Sequence, residues 1–85
     1  MTDLEFRIID ELYFVSSFKT LQAECGLAPA QLSETLQQLL EAGFVKAFFP
    51  DPDTEVSPAE AIENINLRNC FFLATKAGLL AHNSN

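Results

Sequence analysis

Phe18 to Val45 reads FKTLQAECGLAPAQLSETLQQLLEAGFV. Two apolar-periodic segments meet at Cys25-Gly26-Leu27, and Ala42-Gly43 closes the second. Phe18, Leu21 and Cys25 recur at i, i+3 and i+7, so a short helix covers roughly residues 17–25. Gly26 supplies the left-handed residue on which such a helix stops. Pro29 is pre-organised for the first position of a new helix. Leu27 and Leu32 flank that start with the spacing of a hydrophobic staple. The second helix spans about 29–42, with Leu32, Leu36, Leu39 and Leu40 turned inward. Gly43 ends it by the same left-handed device.

A short helix, a turn holding a glycine and a longer helix outline a helix-turn-helix. Before it, Thr2 and Glu5 have capping-box spacing, and a first helix is predicted over about 2–14. Leu4, Ile8, Leu12 and Val15 form its apolar face. Ser16-Ser17 breaks that pattern and can cap the next helix. After the motif, FVKAFF at 44–49 reads as a strand, aromatic and β-branched, ended by Pro50. The polar stretch that follows is too long for a tight hairpin. It contains Ser57-Pro58-Ala59-Glu60, which predicts a helix over about 58–64 with Ala61, Ile62 and Ile65 on its apolar side. Residues 67–74 read as the return strand. Thr75 caps a last helix over about 76–82, and residues 83–85 are expected to fray.

A chain of 85 residues makes one domain, residues 1–85. Hydrophobic residues are 48% of it and eight are Phe, more apolar surface than a small core hides. A protein partner or a homodimer is the natural use of the excess. The net charge of −7 repels phosphate backbones and acidic membranes over a Debye length of about 8 Å. Cys25 and Cys70, with no secretory signal in sight, read as buried reduced thiols of a cytoplasmic protein. No apolar run reaches the length of a membrane span. There is no C-x-x-C and only one His, so metal-ligand spacing is absent and no cofactor is expected. His82 stands near the chain end, where a surface position is expected. No Ser-His-Asp or Cys-His set and no Gly-rich phosphate loop argues for an enzyme.

The order of elements and two motifs carry a family resemblance. Leu39-Leu40-Glu41-Ala42-Gly43-Phe44-Val45 and Phe72-Leu73-Ala74-Thr75-Lys76-Ala77-Gly78 resemble the second half of small MarR- and PadR-like winged-helix regulators. Their pattern runs L-x-x-x-G-L-V/I, strand, wing, Y-x-L-T-x-x-G, with Phe here for Tyr and Ala for Leu. The resemblance implies an α+β, mainly α, winged helix-turn-helix. Its three-helix core carries a two- or three-stranded wing, an enlarged and partly helical wing loop and a short C-terminal helix. It further implies DNA binding by the outer face of the second motif helix.

The residues on that face argue the other way. Ala30, Gln31, Ser33, Glu34, Gln37, Gln38 and Glu41 include no Lys or Arg, and Ala28 stands where a capping hydroxyl would meet a phosphate. Between Pro50 and Asn69 there are Asp51, Asp53, Glu55, Glu60 and Glu63 against Arg68 alone. Non-specific DNA affinity comes mainly from phosphate neutralisation, so the expected electrostatic contribution is small. The favoured reading is a regulatory or scaffolding module that binds protein or self-associates, with Phe48, Phe49, Ile62, Ile65 and Phe71 as contact candidates. Both strands are apolar on two faces. Either the inserted helix covers the outer one or a partner does. The alternative is a dimeric DNA-binding regulator reading bases with Gln31, Ser33, Gln37 and Gln38 and holding phosphates with Lys19 and Lys46.

Overall fold

The computed structural model describes residues 1–84; Asn85 lies outside the described residues. Among the described residues five helices pack with one antiparallel sheet, in the order α1 (Asp3–Glu11), β1 (Ser16–Ser17), α2 (Phe18–Cys25), α3 (Pro29–Glu41), β2 (Val45–Phe48), β3 (Glu55–Val56), α4 (Pro58–Glu63), β4 (Phe71–Ala74) and α5 (Lys76–Asn83). A 3₁₀ turn, Leu67–Asn69, precedes β4. The four strands lie in the order β1-β4-β2-β3. The fold is therefore α+β and mainly helical.

Local chemistry explains most boundaries. The Thr2 hydroxyl accepts from the Glu5 amide, and the Glu5 carboxylate accepts from the Thr2 amide, completing the capping box. Gly26 ends α2 at φ 64° and Gly43 follows α3 at φ 78°. Around Gly43, the Gly43 amide donates to Leu40 and the Phe44 amide to Leu39 (3.1 and 3.0 Å), which satisfies the last carbonyls of α3. Ser57 and Thr75 each accept from the amide three residues on, capping α4 and α5.

Several elements differ from the sequence expectation. Helix α1 stops at Glu11 rather than running to about residue 14. The Leu12 carbonyl instead accepts the Ala74 amide at 2.9 Å, and the chain turns out of the helix toward the sheet. Val15, expected on the core face of α1, is consequently 45% exposed. Ser16-Ser17 is a strand paired with Phe71-Phe72, not only a break. Glu55-Val56 returns along Phe48-Ala47 as β3, so the long insertion opens with a hairpin. The Asp51 carboxylate organises its turn, accepting from the Asp53 amide and the Thr54 hydroxyl (both 2.9 Å). Those hydrogen bonds, the Thr54 hydroxyl first, hold its pKa below the ordinary carboxylate range. Residues 67–69 form the 3₁₀ turn instead of strand because the Asn66 side chain caps the Arg68 amide.

The core sits between one face of the sheet and the helices. Ile8, Ile9, Leu12, Leu21, Leu32, Leu36, Leu39, Ala47, Ala61 and Phe72 are wholly buried there. Register fixes the faces: Val45 opposes Ala74 and Ala47 opposes Phe72, while Lys46 opposes Leu73 and Phe48 opposes Phe71. Side chains alternate along a strand, so the second set faces away from the core. Among the described residues no helix is long and apolar enough to cross a membrane.

Candidate functional site

Helix α3 shows one face to the core and one to solvent. Leu32, Thr35, Leu36, Leu39 and Leu40 are buried, and the Thr35 hydroxyl satisfies itself on the Gln31 carbonyl at 2.8 Å. Gln31, Glu34, Gln37, Gln38 and Glu41 are exposed, and Ser33 is half-buried. Ala28 makes no side-chain cap to the helix N-terminus.

Helix α4 lies beside this face. Its Ser57 cap and Pro58 start fix where it begins, and burial of Ala61 holds it against α3 and β2. Ile62 and Ile65 pack at the margin of the core. Between the two helices runs an open groove of about 450 Å³, lined by Gln37 and Glu41 of α3 and Pro58, Ala59, Ile62 and Glu63 of α4. Pro58, Ala59 and Ile62 supply the apolar part, and the carboxylates of Glu41 and Glu63 are the charged groups.

No cation lines the groove. The Arg7 guanidinium donates to the Cys25 carbonyl at 2.6 Å and so serves the C-terminus of α2. Lys19 is exposed on α2, and Lys46 is half-buried in β2 opposite Leu73. Arg68 and Lys76 are exposed on the 3₁₀ turn and on α5. The candidate base readers Gln31, Gln37 and Gln38 therefore share an exposed helix face, whereas the two candidate phosphate contacts sit on different elements.

The five apolar contact candidates do not form one exposed surface. Phe49, Ile62 and Ile65 are half-buried against the main core. Phe48 and Phe71 sit opposite each other on the other sheet face, where Phe48 is 8% exposed and Phe71 half-buried. Of the outer-face pair, Phe48 is thus already buried within the domain and Phe71 partly so. Helix α4 meanwhile turns Ala61 into the core and Ile62 to its margin.

The exposed apolar residues lie elsewhere. Phe14 is 83% exposed, flanked by Tyr13 at 41% and Val15 at 45%. A run of three such residues just beyond Asp10-Glu11 cannot all face inward at helical period, and that is the signal that sequence reading missed.

His82 is also displaced from its expected surface position. Its ring stacks on Phe6 at 4.0 Å and meets Tyr13 edge-on at 5.4 Å. Nδ1 lies 2.9 Å from the Tyr13 hydroxyl, and Nε2 is 3.4 Å from an Asp10 carboxylate oxygen. The residue thereby ties α5 to α1. Cys25 and Cys70 are free and buried, and burial raises both thiols above their ordinary range. They are protonated packing groups at neutral pH. Among the described residues no three metal-ligating side chains converge.

Compared with protein-family models, curated protein sequences and solved structures, the chain finds no match in any of the three.

Proposed function

We propose that this chain is a winged helix-turn-helix module that works by binding protein rather than by gripping DNA. The strand order β1-β4-β2 behind the α2–α3 pair supports the winged-helix reading. Under it, β3 and α4 are the enlarged wing. The observation that carries the functional reading is the exposed side of α3. It offers Glu34 and Glu41 and no cation, and α4 adds Glu63 beside it. A duplex laid there would meet carboxylates where its phosphates need Lys or Arg, and like charges brought together oppose association.

The expected result is that mixed-sequence duplex DNA binds no more tightly than about 100 µM at roughly 50 mM salt. The triple variant Glu34→Lys, Glu41→Lys, Glu63→Lys should bind measurably better, with affinity that falls steeply as salt rises. Micromolar, salt-sensitive binding by the unaltered protein in fluorescence anisotropy would overturn the proposal in favour of the dimeric DNA-binding regulator.

Self-association is a second reading, favoured by the 83% exposure of Phe14. A bulky aromatic left this bare between two other exposed apolar side chains is a ready contact for a second copy. Under this reading, sedimentation equilibrium shows a dimer that Phe14→Asp splits into monomers without loss of helical circular dichroism. A protein that is monomeric at every accessible concentration would sink it.

A further inference from the structure

We infer that the groove between α3 and α4 is the docking site for a basic protein segment that inserts one apolar side chain between two flanking cations. The inference rests on the protein-binding reading and names its site and ligand chemistry.

The groove lining combines apolar and anionic groups. Pro58, Ala59 and Ile62 offer surface that an aliphatic side chain can cover, and Ile62 is already half-buried beneath it. Glu41 stands on one wall and Glu63 on the other. Among the described residues no Lys or Arg nitrogen lies within 4.0 Å of either carboxylate. Two unpaired carboxylates on facing helices, in one lining with Pro58, Ala59 and Ile62, complement a segment of the form cation, apolar residue, cation. Gln37 adds an amide able both to donate to and to accept from that segment's backbone.

The walls are set before a ligand arrives. Helix α3 is anchored by its buried leucines, and α4 is closed by the Ser57 cap and by the Ile65 amide on the Glu60 carbonyl at 2.9 Å. Ordering cost on this side of the complex is therefore small. The other classes of occupant fit worse. A nucleic acid would set phosphates against Glu41 and Glu63, and a second copy of a chain with net charge −7 would bring mostly like charge.

The test is a titration of isotope-labelled protein with the acetylated, amidated peptide Arg-Arg-Leu-Arg-Arg, read from amide chemical shifts. Saturating shifts confined to Gln37, Glu41, Ala59, Ile62 and Glu63 are expected, weakening as salt rises. Replacing the peptide's Leu by Ala, or making the Glu41→Lys, Glu63→Lys double variant, should each lower affinity about tenfold. Both substituted positions are exposed, so that variant keeps its fold. Absence of shifts at about 1 mM peptide overturns the inference. So does equal binding by the double variant. Shifts centred elsewhere on the domain overturn the groove but leave the protein-binding reading standing. Tight binding of duplex DNA would bring down that reading too.

Discussion

Gly78→Ala is expected to destabilise the domain by about 2 kcal/mol or more, although it replaces a poor helix former with the best one. A Cβ on Gly78 would lie 2.1 Å from the Phe44 carbonyl oxygen and 3.0 Å from its carbon. The obstruction is backbone, not the tip of a flexible side chain. That carbonyl also accepts the Thr75 amide at 3.0 Å, and the Thr75 hydroxyl donates to the Gly43 carbonyl at 2.7 Å. Phe44 cannot retreat without disturbing the start of β2 and the cap of α5 together. The alternative is for α5 to move off, which pulls His82 from its place against Phe6 and Tyr13. Helix propensity returns about 1 kcal/mol, whereas overpacking costs about 1–3 kcal/mol and more against backbone. The overpacking therefore wins. For a domain of this size the net loss lowers Tm by about 10 °C. Thermal unfolding followed by circular dichroism measures it, with Ala77→Gly at an exposed neighbouring position as the propensity control. An unchanged or raised Tm would show that α5 does not pack as closely as described.

The same glycine shows what a sequence can and cannot disclose. Thr75 as a cap and Gly78 three residues on were readable, because a cap and its partner amide lie within one helical turn. So were Thr2 with Glu5, Gly26, Gly43 and the Ser57-Pro58 start, and these fixed most of the helices. The reason Gly78 must be Gly was not readable, since the atom it avoids belongs to Phe44 across the fold. The end of α1 escaped for a related reason: the Leu12 carbonyl is claimed by the Ala74 amide from the far end of the chain. Strands β1 and β3 are two residues each and carry no alternating pattern, so only their partners define them. His82 looked peripheral because Phe6 on α1 and Tyr13 just past its end, which pack against it, lie far away in the sequence. For the site, the polar face of α3 followed from helical period alone. The groove did not, because it exists only where α4 is laid beside Gln37 and Glu41. Phe48 and Phe71 were grouped with Ile62 by composition, and β-sheet register separates them.

That register carries the second large effect. Phe72→Ala is expected to cost about 3–5 kcal/mol, while Phe71→Ala, its immediate neighbour, costs about 1–2 kcal/mol. Phe72 is 0% exposed and the largest of the fully buried side chains. It sits in β4 between β1 and β2, with Ser16 and Ala47 as its register partners. Both partners are small, so neither can fill the space that a missing ring leaves, and the cavity persists rather than collapsing. Phe71 points to the other face, half-buried beside Phe48, and its removal leaves a hollow that water can enter. A domain of 85 residues has roughly 4–13 kcal/mol in total, so Phe72→Ala removes a large share of it. Urea unfolding of the two variants decides the matter, and their order is more informative than either value. A slip of one residue in the pairing of β4 exchanges every side chain between the faces. Phe71→Ala would then be the more damaging change. The observed order tests at once the β2–β4 register, the burial of Phe72 and the exclusion of Phe71 from the core.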